Sequence, residues 1–416
     1  MFLFKTILPV FAFIFLLTDC QQQSKTVAPA SNNDSVPAHP AAPVGLSHEK
    51  YDYYHNASAR FFDSLLLRHG AFNGSILVAQ NDEVVYEKYA GFINPFIKKD
   101  SLGPAAAFHL ASVSKTFTAM SVLKLWQDGR LGLEDTLGKY FPGFPYSGIT
   151  VKMLLSHRSG LPNYVHYLER YGWDKHKIVT NQDVLASLYS MHPPLEFVSG
   201  KHFSYCNTNY ALLALIIEKV SGIRYPDFLQ KTIFGPLQMR DSYVFTMKDS
   251  ARAMGSYEYN NHPFRFEFLD AVYGDKNVYS TVRDMLKWDQ ALYPGKMFTA
   301  ATLDSAFAGY SFEKHGQRNY GLGWRMTFLP NGKKLLYHNG WWHGNNTAFI
   351  RLVDENAVII VLGNKFNRRI YSSKYLADLF GNYMQHGNIS EDVENPSSGG
   401  GETHAARKRT RHRRHR

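Results

Sequence analysis

The stretch Ser112-Val113-Ser114-Lys115, continuing through Thr116-Phe117-Thr118-Ala119-Met120 to about Trp126, decides how the rest of this chain is read. It is a Ser-x-x-Lys at the opening of an apolar helix. Side chains three positions apart share a helix face, so the Lys115 ammonium is expected over the Ser112 hydroxyl. A neutral hydroxyl attacks carbonyls poorly. An adjacent amine that takes its proton, or steadies its alkoxide, turns it into a nucleophile. The helix start adds unpaired backbone N–H groups and a positive dipole end beside any developing oxyanion.

The tetrapeptide is not selective by itself. Ser47…Lys50, Ser121…Lys124 and Ser311…Lys314 have the same spacing, and a helix cap followed by a solvated lysine produces it equally well. Two further elements single out Ser112. The first is Tyr205-Cys206-Asn207, just ahead of an apolar helix read over Asn209 to Val220 and stopped by Gly222. A tyrosine beside an ammonium can serve as a phenolate base, and Asn207 is suited to orient Lys115 and hold a substrate amide. Tyr54-His55-Asn56 and Tyr259-Asn260-Asn261 share the pattern without that context. The second is His338-Asn339-Gly340, read at the end of a strand; among eighteen histidines it is the one His-x-Gly. A cation or donor there would border a cleft, and Gly340 would let a substrate backbone approach the strand edge.

Around these motifs the periodicity changes twice. A helix is expected over Asn56 to Leu67, then a hairpin of Gly74–Ala79 and Val84–Tyr86 about an Asn81-Asp82 turn. From about 130 to 310 the pattern is mainly helical, with Thr281-Val282-Arg283-Asp284 as a capping box before Met285 to Leu292. After Tyr320 strands return: Gly321–Phe328 into Lys334–His338, and Thr347–Val353 into Val358–Leu362, with a last helix over about Tyr371–Met384. The expected class is therefore α+β. The N- and C-terminal segments complete one antiparallel sheet, helices flank it, and a helical lobe is inserted.

The 416-residue chain has 44% hydrophobic content, enough to bury a large core. Residues 1–19 read as an export signal ending in Leu16-Leu17-Thr18-Asp19-Cys20. Cys20 is either the lipidated first residue of a mature lipoprotein or a cysteine beside an ordinary secretory cleavage site. Residues 20–46 read as a flexible tether, 47–386 as the folded domain, and 387–416 as a Gly/Ser linker with a basic tail. The net charge of +11 includes +6 from residues 401–416 (seven Lys/Arg, one Glu), so the remainder carries only +5 and nucleic acid is not an expected partner. Cys20 and Cys206 are the two cysteines, so no disulfide framework is expected and Cys206 reads as a small buried residue. No Gly-x-Ser-x-Gly, His-Glu-x-x-His, paired cysteines or phosphate-binding glycine loop is present, so no metal or cofactor is expected.

Taken in order, Ser112-x-x-Lys115, Tyr205-x-Asn207 and His338-x-Gly340 resemble the serine β-lactamase-like and penicillin-binding-protein superfamily. The similarity is strongest to its class C β-lactamase, D,D-carboxypeptidase and esterase branch. Leu154-Leu155-Ser156-His157-Arg158-Ser159-Gly160-Leu161-Pro162 and Ser280-Thr281-Val282-Arg283-Asp284-Met285 also look like family text. The resemblance implies an acylated Ser112 activated by Lys115, with Tyr205 shuttling the proton. It further implies Asn207 and His338 at the substrate, and an oxyanion hole from the N–H groups of Ser112 and Trp341, the residue after Gly340. His338 stands where many members have lysine, which weakens carboxylate recognition at neutral pH. The Trp341-Trp342 pair is expected to shape an apolar rim. The expected function is an exported, envelope-located serine hydrolase. Its expected substrates are small amides or esters, either D-amino-acid peptides or carboxylic esters; a β-lactamase and a non-catalytic binding protein are the alternatives.

Overall fold

The computed structural model describes residues 45–383 apart from His69, Lys314 and His315. The export signal, Cys20, nearly all of the tether and the basic tail lie outside these residues. Helix α1 (His48–Phe62) starts earlier than the apolar pattern suggests, because Ser47 caps it by accepting the Lys50 N–H at 3.3 Å. One of the spare Ser-x-x-Lys matches is therefore a helix cap. Strands β1 (Gly74–Gln80) and β2 (Glu83–Ala90) form the expected hairpin, with Asn81 and Asp82 at φ of 53° and 65°. Two successive residues at positive φ give the turn whose twist matches paired strands.

The Ser112 helix, α2, spans Ser114–Gln127 and is buried through most of its circumference, as an apolar helix at the centre of a domain must be. Helix α3 (Asn207–Ser221) ends at Gly222, whose φ of 73° suits glycine. Helix α4 (Val282–Ala291) carries half of the expected capping box. Thr281 accepts the Asp284 N–H, but the buried Asp284 carboxylate turns to Ser242, the Asp241 N–H and Lys287 instead of the Thr281 N–H.

The C-terminal strands are β3 (Arg318–Tyr320), β4 (Arg325–Phe328), β5 (Lys334–Trp342), β6 (Asn345–Leu352) and β7 (Ala357–Gly363). All pairings are antiparallel, in the order β2-β1-β7-β6-β5-β4-β3, so the N-terminal hairpin completes the sheet beside the last strand. Gly321 to Trp324, expected within one strand, instead form the turn between β3 and β4, and Gly323 presses on α2 where a Cβ would meet that of Ala119 at 2.2 Å. The final helix is a 3₁₀ segment over Arg368–Leu379, where Tyr371-Ser372-Ser373 favours α-helix poorly.

Each central strand is apolar on both faces. Ile359 and Val361 pack with α1 and the 368–379 segment, while Val358, Ile360 and Leu362 face the core of the helical lobe. Alternation in β5 likewise puts His338, Gly340 and Trp342 on the face that meets the lobe.

Candidate active site

A small sheet positions Ser112. Phe108–His109 pairs with Val278–Ser280, and the Leu110 N–H donates to the Val278 carbonyl at 2.8 Å. The chain then turns through the 3₁₀ segment Ala111–Val113 into α2, so Ser112 precedes the α-helix instead of opening it. The three-residue spacing still aligns the two side chains, since i and i+3 eclipse in a 3₁₀ turn. Ala111 sits at φ 49°, in the left-handed region that costs an alanine ~1–2 kcal/mol. Its N–H donates to His109 Nδ1 at 3.1 Å, and the other ring nitrogen of His109 donates to Asn277 Oδ1 at 2.9 Å. Burial pushes the His109 pKa down to about 4, which keeps Nδ1 available as an acceptor. Nothing in the motif text pointed to His109 or Asn277.

Lys115 is wholly buried, and its Nζ lies 3.2 Å from Ser112 Oγ, 2.8 Å from Asn207 Oδ1 and 2.8 Å from the Asp275 carbonyl. The last two accept N–H bonds and fix the ammonium's rotation. The remaining position faces Ser112, as an N–H donor if the amine is charged or a lone pair if it is not. Asn207 starts α3, so the expected pairing of Asn207 with Lys115 is present in the geometry.

Tyr205 is half-buried, with its ring 4.9 Å from Lys115 Nζ and 4.9 Å from the Arg325 guanidinium. The buried His157 ring packs on it, 4.4 Å between centroids. His157 Nδ1 takes the Cys206 N–H at 3.1 Å, which fixes the segment carrying Tyr205. Burial, then the nearby Lys115 and Arg325 charges, hold His157 well below the usual histidine range.

His338 differs from its expected setting. It is mid-strand and fully buried instead of at a cleft border. Nδ1–H donates to the Asn339 carbonyl at 2.7 Å, so Nε2 accepts the Tyr320 hydroxyl at 3.2 Å. Burial, reinforced by Arg325 and Lys115, keeps it neutral. The side chain closest to a cleft cation's role is thus Arg325 on β4, which the sequence did not single out.

Gly340 is required by the packing of the protein's own backbone. A Cβ there would lie 2.3 Å from the Leu110 carbonyl and 2.3 Å from Thr347 Oγ1, so the missing side chain admits the Ser112 turn. Thr347 donates to that same carbonyl at 2.8 Å. Pairing of β5 with β4 ends at Tyr337, so the strand from His338 onward has an edge beside the Ala111–Val113 turn. Trp341 lies on that edge, half-buried, near Phe366. Trp342 points inward, and its Nε1 donates to Asp270 at 2.7 Å.

Asp270 also accepts from His343 Nε2 at 2.9 Å and from the Glu267 N–H at 2.7 Å. Despite its burial, these bonds and the imidazole hold its carboxyl below the usual range, while the same contact raises His343. Glu267, Asp270 and His343 bring possible metal-ligand atoms within 4.8 Å of one another, but the Asp270 oxygens are already engaged by these donors. Cys206 is buried and its Sγ points to the Leu161 carbonyl at 3.2 Å; burial pushes its thiol up to about 12, in keeping with a packing role.

A family model described as Beta-lactamase matches residues 59–379. The chain belongs to the beta-lactamase family. Penicillin-binding protein 4* of Bacillus subtilis (strain 168) is 35% identical over 320 residues, covering 73% of this chain and 70% of that protein. The beta-lactamase-family fold is shared with a penicillin-binding protein from Bacillus halodurans (TM-score 0.68, 20% identity, 80% of this chain and 99% of that one). It is also shared with a D-amino acid amidase from Ochrobactrum anthropi SV3 complexed with D-phenylalanine (TM-score 0.62, 22% identity, 78% and 97%). Membership places the chain in a superfamily of serine hydrolase type.

Proposed function

We propose that this protein is a serine hydrolase that forms an acyl-enzyme on Ser112 and cleaves small amides or esters, with D-amino-acid peptides as the leading class. The observation that carries the reading is the Lys115 Nζ, held 3.2 Å from Ser112 Oγ by Asn207 and the Asp275 carbonyl. Ser112 Oγ attacks the carbonyl and gives its proton to Lys115 or Tyr205. The N–H groups of Ser112 and Trp341 hold the oxyanion, each such donor lowering the barrier by roughly 3 kcal/mol. Tyr205 passes the proton to the leaving group, and the reverse path activates the water that releases the acyl group.

Arg325 favours an anionic leaving group. Its guanidinium lies over Tyr205, the residue proposed to protonate that group, while His338 is neutral and buried. A leaving amino acid with a free carboxylate suits this corner. The relative named for penicillin binding and the fold shared with a D-amino acid amidase support the same substrate range. We further propose an envelope location with Cys20 acylated; intact mass of membrane-extracted protein tests this, and an unmodified soluble N-terminus refutes it.

The deciding experiment incubates wild type and Ser112→Ala with a fluorescent penicillin, a D-alanyl-D-alanine peptide and 4-nitrophenyl acetate. A persistent penicillin label with peptide turnover, both lost in the variant, is the expected result. Rapid penicillin turnover identifies a β-lactamase and ester turnover alone an esterase. Equal behaviour of both proteins in every assay refutes the acyl-enzyme.

A further inference from the structure

Lys115 can face Ser112 as an ammonium or as a neutral amine, and the groups packed around it decide which. The segment from Gly274 to Val278 grips the nucleophile helix at successive positions. The Gly274 carbonyl accepts Thr118 Oγ1 at 2.6 Å, the Asp275 carbonyl accepts Lys115 Nζ at 2.8 Å, and the Val278 N–H donates to Ser114 Oγ at 3.0 Å. Asn277 holds His109 and, through it, the Ser112 turn.

Inside that grip lies a charge pair that no step of the proposed reaction uses. Asp275 and Lys276 are only 1% and 2% exposed, with Lys276 Nζ 3.5 Å from Asp275 Oδ2. Tyr164 joins them: its buried hydroxyl donates to Asp275 Oδ2 at 2.8 Å and accepts from Lys276 Nζ. Burial, then the Asp275 charge, hold the Tyr164 phenol well above its usual range, so it keeps the proton it donates. Tyr164 is tied in turn to α3, since its N–H donates to Thr208 Oγ1, the neighbour of Asn207. The Lys276 ammonium also lies over the Trp342 ring, 4.6 Å from its centroid. The second carboxylate oxygen, Asp275 Oδ1, is buried without a hydrogen-bond partner.

Buried ion pairs stabilise folds no better than apolar residues of the same volume, so stability does not account for this one. Its place does: the carboxylate is two bonds from the Cα whose carbonyl touches Lys115 Nζ. The other groups facing Lys115 are the Tyr205 and Tyr210 rings, 4.9 and 5.6 Å from Nζ, and the neutral His157 and His338. Arg325 acts from over the same Tyr205 ring, and Asp270 and His343, beyond Trp342, pair with each other. Asp275 supplies the countering negative charge.

We propose that the buried Asp275–Lys276 pair is a positioning element for Lys115: Tyr164 locks the Asp275 carbonyl on Nζ, and the two opposed charges together set the pH at which Nζ becomes the neutral amine that takes the Ser112 proton. This rests on the acyl-enzyme reading above. With both charges present their effects on Lys115 largely cancel. Loss of Lys276 leaves an anion that favours the ammonium, and loss of Asp275 leaves a cation that opposes it.

The test follows acylation by a fluorescent penicillin from about pH 5 to about pH 10 in wild type, Lys276→Gln, Asp275→Asn and the double variant. The rate rises with pH as Lys115 loses its proton. The midpoint of that rise should move up by about one pH unit in Lys276→Gln and down by about one in Asp275→Asn, and return to the wild-type value in the double variant. Both replacements keep a polar partner for Tyr164. A slower rate at every pH with an unmoved midpoint, or two shifts of the same sign, makes the pair merely structural and overturns the proposal. If one variant fails to fold, the sign given by the other decides; if neither folds, the proposal fails. Absence of Ser112-dependent acylation in wild type breaks the acyl-enzyme reading instead. The ε-13C-lysine NMR signal that Lys115→Met removes is then titrated in the same proteins: opposite shifts of its midpoint support the proposal, and a fixed midpoint overturns it.

Discussion

The two ends of β5 are built on opposite plans. At the His338 end, Lys115, Asn207, Tyr205 and Arg325 converge from separate helices, loops and strands, and histidines pack behind them in neutral form. At the Trp342 end the polar groups satisfy one another around Asp270 and leave an open volume lined with rings. A reaction needs a few atoms held to fractions of an ångström, which dense packing provides. Recognition needs room for a group that varies, which a pre-formed cavity provides. One strand borders both regions, because Gly340 lets the Ser112 turn sit between the two ends.

Breaking the first end should produce the largest effect. Lys115→Met removes the amine at Ser112 and leaves Asn207 Oδ1 and the Asp275 carbonyl without their buried donor. Acylation by fluorescent penicillin should fall by about a thousandfold or more, in line with loss of a nucleophile's activating base. A rate within tenfold of wild type would show that the two ends do not differ as argued.

The hinge between the ends comes next. Gly340→Ala inserts a methyl 2.3 Å from the Leu110 carbonyl, so the turn must move. The variant should lose roughly 1–3 kcal/mol by urea denaturation, as overpacked sites do, and acylate more slowly. Unchanged stability and rate would mean the turn tolerates displacement and is not positioned by that contact.

Acid should separate the ends by their histidines. His109, His157 and His338 have folded pKa values below the ordinary histidine value, so the unfolded chain binds more protons once pH falls beneath about 6.5. Their stabilisation is present above that pH and is lost on acidification. His343 is shifted upward, so its contribution runs the other way: full in mild acid and lost as pH rises through its folded value. Between pH 6.5 and 5.5 the net change should be a loss of about 2–3 kcal/mol, read from urea midpoints. His343→Gln should steepen that loss slightly, the smallest of the predicted effects. A stability that rises on acidification would reverse the assignment of buried neutral histidines.

Much of the proposed catalytic end could be read from the chain alone. Ser112, Lys115, Tyr205 and Asn207 stand out because spacing on local elements brings particular residue types together, and the order of three motifs removes chance matches. Hairpin signals likewise foretold the sheet, since alternation and turn residues act over a few positions. Arg325 and His109 were invisible because each acquires meaning from a neighbour more than a hundred residues distant, Tyr205 for one and Asn277 for the other. His338 could be named from its motif, but its burial under Tyr320 could not, since exposure is a property of what packs on top.

By itself, then, the sequence determined the fold class and the gathering of Lys115 and Asn207 about Ser112, the proposed nucleophile, through short-range periodicity and motif order. The tertiary structure alone decided that His338 is neutral, that Gly340 accommodates the protein's own turn, and that Trp342 points into a cavity instead of rimming the cleft. Those outcomes depend on desolvation, steric contact and enclosed volume, which come into being only when distant segments pack together.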